Sequence, residues 1–370
     1  MLQLRGTLCE KSFIVALAAL AATASFAQSS VTIWGVVDAA VGSYKANDGT
    51  TATKMTTSRL SSSQLGFRGT EDLGGGLKAG FWLEAGLDND SGLGQATSTN
   101  NQTATTAGGL SFNRRSTLDL SGNFGAIRLG RDYTPDFWSK TVFDPFGTLG
   151  VGAASNLNQS GVNAATAARA SNGVSYLYGF APNAGSSVGA GGLSVQVTVA
   201  QGENTSGTAT AKDGNYSGAR LGYINGPMSV AVATGTTKRI AVQDDKVTNI
   251  AGSYDLGVAN LIAQSNTNKT GDNSVNNQTN LIGAKIPMGA GYIPVSFISY
   301  KSTGSASNGY KANQFAIGYV HNLSKRTAAF ATYASLKNKE GAKFNVSGAP
   351  AGALANGTSS GTEIGLRHTF

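Results

Sequence analysis

Apolar and polar residues alternate along most of this chain with a period of two, in runs of about ten residues separated by stretches rich in Gly, Asn and Ser. Leu193-Ser194-Val195-Gln196-Val197-Thr198-Val199 keeps the alternation strictly, and so does Phe315-Ala316-Ile317-Gly318-Tyr319. In Ala126-Ile127-Arg128-Leu129-Gly130 the two aliphatic side chains fall on one side and the arginine on the other. A period of two predicts strands, not helices. Sixteen strands are expected, starting near residues 31, 56, 76, 109, 126, 169, 193, 215, 228, 246, 258, 275, 292, 310, 326 and 360. Short connections (71–75, 123–125, 225–227, 255–257, 321–325) alternate with long ones (89–108, 133–168, 338–359).

A soluble sandwich also alternates, so charge placement has to separate the two readings. Leu77, Ala79, Phe81, Leu83 and Leu87 share one parity, while Lys78 and Glu84 take the other. Arg68, Arg128 and Arg367 obey the same rule beside their apolar neighbours. A lysine or arginine facing lipid at mid-bilayer costs roughly 2–4 kcal/mol, so a lipid-facing wall excludes them. The expectation is all-β: a 16-stranded antiparallel transmembrane β-barrel, wide enough at that strand number for an aqueous channel. One neighbouring pair, Arg114 and Arg115, breaks the parity rule. Leu118 and Leu120 set the register there, so Arg115 is expected inside and Arg114 at the rim or against another subunit.

Both ends fit this reading. Glu363 to Phe370 alternates, with Ile364, Leu366 and Phe370 on one face, and such a strand is expected to pair with the first one. Its terminal aromatic Phe370 is expected to be read by the barrel-assembly machinery. At the other end Arg5 and Lys11 precede the apolar run 13–22, and Ser25-Phe26-Ala27 gives a small-x-small cleavage site. Residues 1–27 are expected to be a signal peptide and 28–370 a single barrel domain, with no room for a plug before the first strand.

Composition narrows the classes further. Charged residues make up 13% of the chain, about half the usual share. The formal charge is +8, or +7 once Arg5, Lys11 and Glu10 leave with the leader. The basic residues are spread through strands and not clustered, which suits a lumen and gives no nucleic-acid face. The single cysteine, Cys9, lies in the leader, so no disulfide or thiolate metal site is expected. The only histidines, His321 and His368, join no catalytic arrangement, and no nucleotide, zinc or calcium motif is present. No cofactor, no metal and no enzymatic activity are expected.

Four stretches resemble the trimeric general diffusion porins of Gram-negative bacteria, above all their beta-proteobacterial branch. Residues 30–38 (SVTIWGVVD) are similar to the family's first strand, and 65–78 (LGFRGTEDLGGGLK) to its second strand, first turn and third strand. Phe112-Asn113-Arg114-Arg115-Ser116 with Ile127-Arg128-Leu129-Gly130-Arg131 resembles its fourth and fifth strands, and the terminal Arg367-His368-Thr369-Phe370 its closing strand. The resemblance implies a homotrimer of barrels, each a passive diffusion pore set in outer-membrane lipid and lipopolysaccharide. It also implies that the long third loop folds inward and narrows the barrel. Asp144-Pro145-Phe146-Gly147 suits a sharp bend, and Phe137, Trp138, Phe143 and Phe146 need a wall to pack on. Where the family commonly has an arginine, this chain has Gln64. Arg59 has the opposite parity and replaces that charge only if a bulge intervenes.

Opposite the loop, Arg68, Lys78, Arg115, Arg128 and Arg169 fall on luminal parity, with Asp136 and Asp144 as the loop's opposing charges. Fixed cations in a narrow throat lower the barrier for anions, so the expected solutes are small anions. Asp38, Glu84 and Asp119 also point inward and offset part of that field. Tyr44, Tyr223, Tyr254, Tyr292, Tyr310, Tyr333 and Phe370 are expected in aromatic girdles. Two further readings stay open: a substrate-specific channel for phosphate or an organic acid, and a barrel that serves as an adhesin or receptor.

Overall fold

The computed structural model describes residues 30–98, 101, 109–157, 165–180, 191–240 and 243–370; the expected leader lies outside them. The chain forms strands β1 (Ser30–Lys45), β2 (Thr51–Thr57), β3 (Gln64–Gly74), β4 (Leu77–Asp88), β5 (Leu93–Gly94), β6 (Arg115–Gly122) and β7 (Gly125–Tyr133). Helix α1 (Pro135–Val142) follows, then β8 (Arg169–Tyr178), β9 (Gly192–Ala200), β10 (Tyr216–Asn225), β11 (Met228–Thr237) and β12 (Asp245–Asp255). The remaining strands are β13 (Asn260–Thr270), β14 (Asn276–Met288), β15 (Gly291–Thr303), β16 (Lys311–Asn322), β17 (Thr327–Lys339) and β18 (Thr358–Thr369).

Neighbouring strands pair antiparallel all the way round, and β1 meets β18 from Val36↔Thr369 to Lys45↔Ser360. Gly35 and Phe370 complete the seam with two backbone hydrogen bonds of 3.1 Å. β2 and β3 occupy one place in the wall, pairing in turn with the upper and lower parts of β1. β5 pairs only with β4, in a separate two-stranded sheet. The ring therefore has sixteen places and no free edge.

The alternation is inside out relative to a soluble sandwich. In β9, Leu193, Val197 and Val199 are exposed while Ser194, Gln196 and Thr198 are buried. In β16 and β18, Phe315, Ile317, Ile364 and Leu366 are exposed while Gln314 and Glu363 are fully buried. Keeping one large aliphatic side chain in water costs about 1.5–3 kcal/mol relative to burial. A belt of such residues on every long strand demands apolar surroundings, and that decides between barrel and sandwich. The short turns are built for tight reversal: Gly74, Gly75 and Gly76 carry φ of +85°, +60° and +83°, which only glycine adopts without steric cost.

Two strands depart from the expected starts. The second is interrupted, because Asp38 of β1 accepts backbone N–H bonds from Arg59 (2.7 Å), Leu60 (3.0 Å) and Ser61 (2.7 Å). Those bonds draw residues 58–63 out of the ladder, and Ser58 takes φ +61°. The strand expected from residue 109 begins at Arg115, because the preceding residues are tied to the connection after β4. Ser111 Oγ donates to the Gln95 carbonyl, and Asn113 bonds both Gly86 and Ala96. Of the expected girdle, Tyr223, Tyr254, Tyr333 and Phe370 are exposed. Tyr44 and Tyr292 are corrections. Tyr44 is fully buried with its hydroxyl on Glu363, and Tyr292 shares the parity of the buried Ser296 and Ile298.

Candidate functional site

The charged part of the inner face is built by β3, β4, β6, β7 and β8. Register places Arg68 opposite Trp82, and Glu84 opposite Arg115. The Arg68 and Arg115 guanidiniums lie 5.1 Å and 4.4 Å from the centre of the Trp82 ring, whose indole N–H donates to Glu84 at 3.0 Å. Trp34 of β1 meets Trp82 edge to face at 5.3 Å. Next to this stack, Arg128 binds Asp119 (2.8 Å) and Asp132 (2.6 Å), and Arg115 lies 3.5 Å and 3.7 Å from the same two acids. Asp132 lies four residues beyond Arg128, on the same face of β7.

Arg114 requires a correction. It lies just before β6, not within it, so strand parity does not bind it. Its guanidinium turns inward to Glu84 (2.5 Å) and donates to the Tyr133 hydroxyl at 2.8 Å. Arg169, the first residue of β8, donates to the same hydroxyl at 2.8 Å and lies 4.4 Å from the ring centre. Arg169 has no carboxylate within 4.0 Å among the described residues, whereas Arg114 has one and Arg115 and Arg128 have two each. Arg68, Arg114, Arg115, Arg128 and Arg169 against Glu84, Asp119 and Asp132 leave this wall a formal +2.

The connection from β7 to β8 opens with α1. Thr134 caps it in an extended conformation, Pro135 stands at its first position, and Asp136 and Lys140 suit its two ends. Tyr133 stacks on Phe137 at 5.2 Å. Asp136 accepts the Tyr216 hydroxyl at 2.8 Å and lies 3.7 Å from Lys140. Burial pulls the Lys140 ammonium below its usual range, against the attraction of Asp136. Asp144 is fully buried and accepts backbone N–H bonds from Phe146 (2.9 Å), Thr148 (3.1 Å) and Ala154 (3.0 Å). Burial raises its carboxyl above the ordinary value while those N–H groups pull it down. Both acids thus bind within the loop or to one tyrosine.

Further along, the connection meets successive strands. Gln264 of β13 donates to the Phe143 carbonyl (3.0 Å), and Pro145 packs on Gly283 of β14. Gln314 of β16 donates to the carbonyls of Gly152 (3.0 Å) and Ala153 (3.1 Å). The Val151 N–H donates to Glu363 of β18 at 3.1 Å. Each of these wall residues alternates with the exposed apolar belt.

Of the residues singled out from sequence, Arg68, Arg115, Arg128 and Arg169 come together on this wall. Lys78 stands apart at the turn end of β4, opposite Ser121. Phe370 is half exposed at the seam, its ring over Gly35. Sequence reasoning missed Tyr133 as a shared acceptor, Asp132 as a partner of two arginines, and Arg220 of β10, buried beside Ser194 and Phe180. The Arg220 parity was readable, since it alternates with Leu221 and Tyr223. Asp132 was readable as well, since it shares the parity of Arg128, whereas Tyr133 closes β7 on the opposite parity and was not. Arg59 does reach the interior, through the break between β2 and β3, and it pairs there with Glu363 at 3.1 Å.

A closed ring of strands, apolar outside and lined by arginines and acids, is the wall of a transmembrane channel. A family description of Gram-negative porins matches residues 15–341. The chain is 37% identical to outer membrane porin protein 32 of Delftia acidovorans, over 97% of this chain and 100% of that one. It is 28% identical to an outer membrane porin protein of Bordetella pertussis, over the same shares. An anion-selective porin from Comamonas acidovorans superposes with a TM-score of 0.77 at 34% identity, covering 93% of this chain and all of that one. OmpF of Salmonella typhi, in complex with daunomycin, superposes at 0.60 with 15% identity over 92% and 97% of the two chains, a likeness of fold alone. The chain belongs to the Gram-negative porin family: it is an outer-membrane porin, a channel and not an enzyme fold.

Proposed function

We propose that this porin passes small hydrophilic solutes with a preference for anions, and that the β7–β8 connection lies in the lumen and sets the throat. The contacts of that connection support its placement. From α1 to Val151 it bonds residues of β10, β13, β16 and β18 on the face opposite the apolar belt. The wall it leaves uncovered is the arginine wall of β3 to β8.

The observation that carries the anion preference is the excess of guanidinium over carboxylate on that wall, with Arg169 held by Tyr133 and no carboxylate within 4.0 Å of it among the described residues. A unit charge attracts an anion 4 Å away by about 4 kcal/mol at an effective dielectric of roughly 20, against about 1 kcal/mol in bulk water. Cations meet the same field with the opposite sign. Arginine keeps its charge at any working pH, which suits a permanent filter. The name of the Comamonas acidovorans relative agrees.

The reversal potential of a single channel across a salt gradient tests the reading. A sign set by the anion is expected, and Arg115→Ala should move it toward the cation; a cation-set potential in the parent protein overturns the proposal. Competition by phosphate or carboxylates distinguishes a general pore from a substrate-specific one.

A homotrimer is part of the same proposal, supported by the family. A heat-sensitive band of high apparent mass on unboiled gels is its check, and a monomer band alone counts against it. Recognition by the barrel-assembly machinery is assigned to Phe370, supported by its place on the outward face at the seam.

A further inference from the structure

Three arginines are less than a tenth exposed among the described residues: Arg114, Arg115 and Arg220. Arg114 faces Glu84 at 2.5 Å, and Arg115 faces Asp119 at 3.5 Å and Asp132 at 3.7 Å. Arg220, at 2% exposure, has no carboxylate within 4.0 Å among the described residues. Residues 169–202 and 214–243 supply β8 to β11 and their turns, and neither stretch contains an aspartate or a glutamate. The residues beyond those described hold no acid either, the expected leader aside.

Register locates this cation. Arg220 of β10 is opposite Gln196 of β9, which is opposite Leu177 of β8, which is opposite Ala126 of β7. Tyr133, opposite Arg169, lies roughly 20 Å further along β7 at about 3.3 Å per residue. Arg220 is therefore at the end of the barrel that carries the short turns, the periplasmic side in outer-membrane barrels.

The guanidinium lies over Gly222, where a Cβ would stand 3.0 Å from Nη1 and 3.3 Å from Nη2. Ser194, opposite Gly222 and fully buried, accepts from Nη1 at 3.3 Å. Its hydroxyl keeps a hydrogen to donate. The Phe180 ring centre lies 5.9 Å from the guanidinium carbon. Nε is buried and has no hydrogen-bond partner.

A charge withdrawn from water without a partner carries a heavy penalty. Arginine does not escape it by losing its proton. A sequestered cation with donors to spare and no acid in reach calls for an anion from solution. The guanidinium fork suits an oxyanion, which accepts two parallel N–H bonds, better than a single-point halide.

We propose that Arg220, Ser194 and the bare backbone of Gly222 bind one free oxyanion of phosphate or sulfate size, behind Phe180, as a resident counter-ion near the periplasmic mouth. The Nε–H and the Ser194 hydroxyl donate to it. The site rests on the burial of Arg220 and its missing carboxylate, and stands whichever ion the throat prefers.

Purified porin is unfolded by heat in rising inorganic phosphate, with chloride holding the ionic strength constant. Phosphate should raise the midpoint saturably, because a ligand that binds only the folded chain stabilises it. Chloride alone should not. Glycerol 3-phosphate, which carries the same group on a larger body and stands in for a lipid headgroup, should give no response at the same concentration. Arg220→Gln should weaken the apparent phosphate affinity at least about tenfold, and Gly222→Ala, which fills the cradle, should lose the response. Arg169→Ala should keep it. A parent protein indifferent to phosphate overturns the proposal, as does an equal response to chloride or glycerol 3-phosphate. A parent-like response in Arg220→Gln or Gly222→Ala overturns it too, and loss of the response in Arg169→Ala would move the anion to the throat. The comparison of ions uses the parent protein, so it decides the matter even if a variant fails to assemble.

Discussion

The Arg59 guanidinium lies 3.1 Å from the fully buried carboxylate of Glu363, and that carboxylate also receives the Tyr44 hydroxyl and the Val151 N–H, each at 3.1 Å. One acid on β18 thereby joins the break between β2 and β3, the first strand, and the far end of the connection proposed to set the throat. Glu363→Ala leaves a buried guanidinium unpaired and the Val151 N–H without its acceptor. Breaking a buried pair by removing one partner costs about 3–5 kcal/mol. The folded barrel should collapse at a lower temperature on unboiled gels, and single-channel current should become noisier as the connection loosens. A variant with parent-like noise would detach Glu363 from the throat.

Gly150 makes the same junction possible. Its φ is +66°, and a Cβ there would sit 2.8 Å from the Arg59 carbonyl and 2.9 Å from Glu363 Oε2. Gly150→Ala should cost about 1–2 kcal/mol from the left-handed backbone alone, with further loss from the clash. Denaturation midpoints of the two proteins give the measure.

The arginines of the wall are not equivalent. Arg128 is held by Asp119 and Asp132, whereas Arg169 is held by Tyr133. Arg169→Ala should therefore reduce anion preference more than Arg128→Ala, and Asp119→Asn should increase it. Reversal potentials of the three variants in one salt gradient provide the ranking, and the reverse order would place the throat elsewhere.

Deleting Phe370 removes the pair of hydrogen bonds to Gly35 and the ring that covers it. Synthesis should continue while the fraction inserted in the outer membrane falls, as judged by fractionation and heat-modifiable migration. Normal insertion would leave Phe370 a seam residue only.

The wall was legible because the pleat forces a strict two-residue period, and the inside-out distribution of charge fixed which face met lipid. Most strands begin within two residues of where the alternation places them. The break in the second strand was not legible, because its cause, Asp38, sits on another strand. Arg114 was misplaced for a related reason: parity was applied to a residue just outside β6. The partners of the arginines were the least accessible. Arg59 reaches Glu363 across nearly the whole chain, Tyr133 gathers Arg114 and Arg169 from two different strand ends, and Asp136 turns to a tyrosine on a distant strand.

Trp34 and Trp82, edge to face beside Arg68 and Arg115, are two of only three tryptophans in the chain. Both share the parity that avoids the acyl chains. Their emission is thus an optical gauge of the passage, sensitive to the packing of the arginine wall and shielded from brominated lipid. Traffic through this porin can be followed by its own fluorescence, with no dye attached.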